Sequence, residues 1–167
     1  IAYSTANPAH LLNVPAVRMS ANINRPDQFV RWLAEHGIVA ASWEQSFVSR
    51  AHYGAYLSDL LAATLKSNPD LAVRFVRGRI KSLMRKNLGW VVAHDGGTID
   101  ADLVVLATGN DRPPPIAPHY PRALASRITD DPWSEPDLAP DCDVLLLGAG
   151  LTAIDAAIGL HSRGHAG

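Results

Sequence analysis

Cysteine is nearly missing from this chain: Cys142 is the only one among 167 residues. An internal disulfide, a cysteine-built zinc site and a CxxC redox pair are thereby excluded, and a cytoplasmic location is the expectation. Excess charge of one sign is missing too, with 15 Lys+Arg against 16 Asp+Glu and no basic run beyond Arg85-Lys86. Such a chain presents no electrostatic footprint to a phosphate backbone or an anionic bilayer, so neither nucleic acid nor membrane is an expected partner. Long apolar runs are absent. Leu103 to Ala107 and Val144 to Leu147 fall far short of the roughly 18 residues that cross a bilayer. The four Trp (32, 43, 90 and 133) are scattered singly, against a base-stacking platform. The chain opens at Ile1 without Met or a charged n-region and stops three residues after Gly164, so it is read as an internal segment of a longer protein.

What is present is an apolar fraction of 47%, at a length that buries roughly 70% of the unfolded surface. Residues 1–25 have no sustained period, yet hold Leu11, Leu12 and Val14 among Pro8 and Pro15, which implies an irregular segment with buried side chains. Pro26 suits the first turn of a helix with Asn24 as a cap, and Phe29, Trp32, Leu33 and His36 recur at helical spacing until Gly37. After Ser49, Tyr53, Tyr56, Leu57, Leu60, Leu61, Thr64 and Leu65 form a second stripe, closed by Asn68-Pro69. The pattern then turns strand-like over Leu71–Val76, Arg79–Arg85, Trp90–His94 and Asp102–Ala107, with Asn87-Leu88-Gly89 and Asp95-Gly96-Gly97 as turns. An antiparallel meander leading into a buried strand is expected. Eight prolines between 111 and 140 argue for an irregular linker. Beyond it, Asp143–Leu147 reads as a strand of a parallel sheet and Leu151–Arg163 as the helix that follows. The class is α/β.

The sharpest local signal is Gly148-Ala149-Gly150-Leu151-Thr152-Ala153, a GxGxxA string between an expected strand and a helix. Gly148 would allow a tight turn, Gly150 a close approach of backbone to a diphosphate, and Ala153 close packing of the helix. The first amides of that helix would face the phosphates. Glycines also build strand-to-helix turns that bind nothing, and that reading stays open. A second signal is the run Leu103 to Asn110, ending in Ala107-Thr108-Gly109, where loop backbone emerges from a strand's carboxyl end. A ligand edge and a plain turn both suit it. The third is Asn7 to Pro15, whose prolines and apolar residues suit a dry wall for a flat aromatic ligand, with Asn13 and backbone amides as polar handles. A buried loop in which Asn13 satisfies the backbone is the alternative.

Other chemistries lack agents. No HxxxH pair among the seven His lies on one helix, no GxSxG occurs, and Cys142 has no basic neighbour to activate it. Asp100, Asp102, Asp130, Asp131, Glu135 and Asp137 fall mostly in turns, where capping or solvation accounts for them.

Taken together, Ile1–Ala16, Arg18-Met19-Ser20-Ala21, Tyr53-Gly54, Tyr56-Leu57, Ala107-Thr108-Gly109 and the 148–153 loop resemble the FAD/NAD(P)-binding proteins, flavoproteins with two dinucleotide-binding domains. The resemblance implies a Rossmann-like, three-layer FAD/NAD(P)-binding fold with a small β-meander, incomplete at both ends. Residues 1–112 would be part of an FAD domain, 113–140 a proline-rich linker, and 141–167 the start of an NAD(P) domain. Its first strand, the FAD diphosphate loop and the acidic ribose ligand would precede Ile1, so the missing parts of the parent chain count as partners. The likeness places His10, Leu12, Asn13, Val14 and Pro15 near the isoalloxazine and Thr108, Gly109 and Asn110 beside FAD. Gly148, Gly150, Leu151, Thr152 and Ala153 would hold NAD(P)H. Relatives of this type include N-hydroxylating and Baeyer–Villiger monooxygenases and pyridine nucleotide-disulfide reductases. The implied activity is an FAD-dependent, NAD(P)H-using oxidoreductase, possible in a monooxygenase-like form, acting on a small molecule. A non-catalytic dinucleotide-binding module is the alternative, since no catalytic side chain stands out.

Overall fold

In a computed structural model of the chain, residues 3, 5, 7–109, 121–129, 131 and 138–166 are described. Asn110 and most of the proline-rich stretch (111–120, 130 and 132–137) lie outside the described residues, as do Ile1, Ala2, Ser4 and Ala6 of the opening motif. Among the described residues, three α-helices and one three-stranded antiparallel sheet make the chain α/β. It divides into two compact units, 1–63 with 111–167, and 64–110. Among the described residues no helix is long and apolar enough to cross a membrane.

The first unit is built around aromatic residues of two helices. α1 (Gln28–Glu35) starts two residues after Pro26, because Arg25 N–H and Gln28 N–H are already bonded to the carbonyls of Asn22 and Arg25 in successive turns. Its end is a Schellman motif: Gly37 N–H bonds the Ala34 carbonyl, and Ile38 N–H bonds that of Leu33. α2 (Arg50–Ser67) lays Tyr53 and Tyr56 against Phe29 and Leu33 of α1. Leu12 and Ala16 complete the buried cluster from the irregular opening segment, as the apolar residues there imply. Phe29 sits edge-on to Tyr53, with ring centroids 5.0 Å apart and planes at 90°, a geometry that aligns ring edge with ring face. The expected stripe on α2 holds only for its first half. Leu61 and Thr64 are exposed, and the compact unit ends at Ala63.

α3 (Leu151–Ser162) closes with a second Schellman motif, Gly164 N–H on the His161 carbonyl and His165 N–H on that of Leu160. The proline-rich stretch is not wholly irregular: Arg122–Arg127 forms a 3-10 helix started by Pro121 at φ −53°. Proline's fixed φ sets that first turn, and the residues after it have no β-branch to oppose helical dihedrals.

In the second unit β1 (Ile80–Lys86), β2 (Gly89–His94) and β3 (Gly97–Ala101) pair antiparallel in sequence order. Leu83, Val92 and Ile99 stand opposite one another on one face, and Met84, Val91 and Asp100 on the other. Lys86 Nζ crosses to Asp100 Oδ1 at 2.7 Å. The first hairpin depends on Gly89, at φ +107°, where a Cβ would stand 2.6 Å from the Ala101 carbonyl oxygen.

Three expected strands do not form. Leu71–Val76, Asp102–Ala107 and Asp143–Leu147 carry no ladder among the described residues. Instead of being buried, Leu103, Val105 and Leu145 are 79%, 78% and 83% exposed. A strand is defined by its hydrogen-bonded neighbour, and no described residue supplies one to these runs. The third meander strand is Gly97–Ala101, a run whose glycine and aspartate give it little strand propensity.

Candidate functional site

The GxGxxA turn is shaped by its glycines. Gly148 adopts φ +118°, a region closed to most side chains, and a Cβ added at Gly148 or Gly150 would meet nothing within 4 Å. Gly150, at φ −79° and ψ 175°, is the N-cap of α3, and its carbonyl accepts the N–H groups of Ala153 and Ile154 at 3.0 and 3.2 Å. No side chain caps the helix. The amides of Leu151 and Thr152 accordingly have no hydrogen bond among the described residues, as the first N–H groups of a helix do unless something outside it accepts them. Open space over the glycines, two available donors and the positive end of the helix fit a diphosphate.

The segment from His10 to Pro15 is fastened from behind. Leu12 N–H bonds the Val48 carbonyl at 2.9 Å, Ala16 N–H bonds that of Ser46 at 2.9 Å, and Leu11 pairs with Ser49. Leu12 and Ala16 are 3% and 0% exposed, so this loop rests on the aromatic core. Between them Asn13 and Val14 make a bend, with Asn13 exposed and Val14 and Pro15 half-buried. The backbone N–H groups of Asn13 and Val14 have no partner among the described residues. A rigid apolar ledge with outward polar handles is what results, and it suits the edge of a flat heteroaromatic ring.

His10 faces inward. Its ring lies 2.8 Å from Thr5 Oγ1 through Nδ1 and 3.2 Å from the Asp155 carbonyl through Nε2. A carbonyl only accepts, so Nε2 carries the proton and donates to α3. Beside it Arg50 Nη1 meets Asp155 Oδ2 at 2.7 Å. Neither residue is singled out by the sequence motifs. The available signal is Asp155 itself, the one carboxylate of α3 and flanked by Ala153, Ile154, Ala156 and Ala157, which requires a partner once the helix packs.

Thr108 and Gly109 belong to the second unit, where both are exposed; Asn110 lies outside the described residues. Among the described residues no three His, Cys, Asp or Glu side chains are grouped to hold a metal ion.

No curated protein matches the chain, and no solved structure does. A family model described as FAD-NAD(P)-binding matches residues 1–111, two thirds of the sequence, and spans both the 10–15 ledge and the Ala107-Thr108-Gly109 turn. With that match over these loops, the chain belongs to the FAD-NAD(P)-binding family, whose cofactors are FAD and NAD(P), and is a dinucleotide-binding protein of flavoprotein type.

Proposed function

We propose that the chain works within an FAD-dependent, NAD(P)H-using oxidoreductase of Rossmann-like architecture, monooxygenase-like in outcome, acting in the cytoplasm on a small-molecule substrate. Residues 1–112 serve its FAD-binding domain, 113–140 link, and 141–167 open its NAD(P)-binding domain. The observation that carries this reading is the uncapped first turn of α3 behind Gly148 and Gly150, in a chain of the FAD-NAD(P)-binding family.

The residues divide the work. Leu151 and Thr152 donate their free amides to the diphosphate of NAD(P)H, while Gly148 and Gly150 keep side chains out of its way and Ala153 lets α3 pack closely. Asn13 and Val14 offer N–H groups to the polar edge of the flavin, and Leu12, Val14 and Pro15, with His10 behind them, hold that ledge stiff and dry. Thr108 and Gly109 offer exposed backbone to FAD, and Asn110 is assigned to the same cofactor. When bound, FAD would supply the redox chemistry, relaying two electrons from NAD(P)H to dioxygen or an organic acceptor. The protein's own share is placement and exclusion of water.

The test is spectroscopic. The full-length protein, reconstituted with FAD and kept free of oxygen, is expected to lose its yellow absorption when NADH or NADPH is added, and to regain it with air. Tight binding of both dinucleotides without bleaching would instead favour a non-catalytic binding module.

A further inference from the structure

We infer that Arg50 and Asp155 are positioning residues: their ion pair, with His10, sets the angle at which α3 presents its glycine turn to the 7–15 segment. The inference rests on the coenzyme-binding role proposed for that turn.

Asp155 is the only buried residue of α3, at 7% exposure. A carboxylate in that place is costly to desolvate and is retained only with a close cation and further hydrogen bonds. Arg50 provides the cation at 2.7 Å, its own side chain 20% exposed. The pair is also wired into the flavin-side segment. Arg50 N–H donates to the His10 carbonyl at 2.8 Å, and His10 Nε2 donates to the Asp155 carbonyl at 3.2 Å. Arg50, His10 and Asp155 thus close a triangle joining the first residue of α2, the start of the ledge and the second turn of α3. A second fastening lies on the same face of α3, seven residues on, where Asn7 Nδ2 donates to Ser162 Oγ at 3.3 Å.

Two attachments seven residues apart fix both the tilt and the rotation of a helix, since seven residues return to nearly the same face. The glycine turn lies one helical turn before Asp155, about 6 Å along the axis at roughly 1.5 Å per residue. A rotation at Asp155 is carried almost undamped to the amides of Leu151 and Thr152. Diphosphate binding tolerates such a rotation, because the phosphates follow the amides. Hydride transfer does not, since a misplacement of about 1 Å costs on the order of 100-fold in rate. The pair therefore governs the rate of flavin reduction more than the affinity for coenzyme.

The variant that isolates positioning is Arg50→Met with Asp155→Leu, since apolar replacement of a buried ion pair usually preserves stability while removing its directionality. In the full-length FAD-loaded protein, the double variant is expected to bind NAD(P)H within about threefold of wild type and to reduce flavin about 10- to 100-fold more slowly at saturating coenzyme. Reduction within twofold of wild type overturns the inference, and so does weaker binding with an unchanged limiting rate. Should the double variant not fold, Arg50→Lys keeps the charge but loses the planar fork. A limiting rate unchanged in that variant overturns the inference equally. Failure of the wild type to bleach at all is a different result, and removes the proposed function itself.

Discussion

In the first unit Phe29 and Leu33 are 0% exposed and Tyr56 2%, ringed by Tyr3, Trp32 and Trp43. The meander buries one apolar side chain, Val91, and only to 8%. One region is held by aromatic packing, the other by ladder hydrogen bonds, turn geometry and cross-strand ion pairs. Burial scales with the free energy available, so the two are expected to fail under different perturbations.

The hardest blow to the first region is Phe29→Ala, expected to cost about 3–5 kcal/mol. Amide exchange should accelerate across α1 and the first half of α2 while β1, β2 and β3 keep their protection. Equal loss in the sheet would show that the two regions unfold as one. Gly89→Ala is the converse, forcing a Cβ against the Ala101 carbonyl at φ +107° and costing about 1–3 kcal/mol, read as faster exchange across β1, β2 and β3 while α1 and α2 keep theirs. Tyr56→Phe comes next. The hydroxyl donates to Gln28 Oε1 at 2.9 Å and accepts the Ala21 N–H at 3.1 Å, so about 1–2 kcal/mol should be lost in denaturant titration.

The smallest effects separate the regions by pH. Burial, and then Tyr3 and Tyr56, raise the Tyr53 hydroxyl above its ordinary value. An acid whose folded pKa is raised contributes its stability below the unfolded pKa, near 10, and loses it as pH climbs through the folded value. Tyr53→Phe should flatten the alkaline limb of the stability profile. In the meander, the Arg79 N–H at 2.9 Å and then the Lys81 ammonium hold the Asp95 carboxyl below its usual range. Its contribution is present above the unfolded pKa, near 4, and is lost as pH falls through the lowered folded value. Asp95→Asn should remove that slight acid dependence by lowering the neutral midpoint a little while leaving the acid end unchanged.

Helical spacing made α1 and α2 legible, because 29, 32 and 33 and 53, 56 and 57 lie one turn apart wherever the helix packs. The glycines of the helix ends and hairpins were legible for the same local reason. Burial of the apolar runs was not. Leu103–Ala107 and Leu145–Leu147 have the composition of inner strands, but a strand's neighbours are set by partners distant in sequence, which composition does not encode. The turn at Gly148 and the helix start at Gly150 could be read because both are set by local backbone geometry. The Arg50–Asp155 pair could not, since its members are 105 positions apart and neither belongs to a local pattern.

The bare first turn of α3 bears on helix stability as well as on the recognition proposed for it. A bound dianion would serve there as the stopper the sequence omits, tying down two amides and neutralising the positive pole of the helix. On the proposed function, coenzyme binding would therefore add to the stability of this first turn by mass action, on top of the Arg50, His10 and Asn7 contacts that already hold the helix.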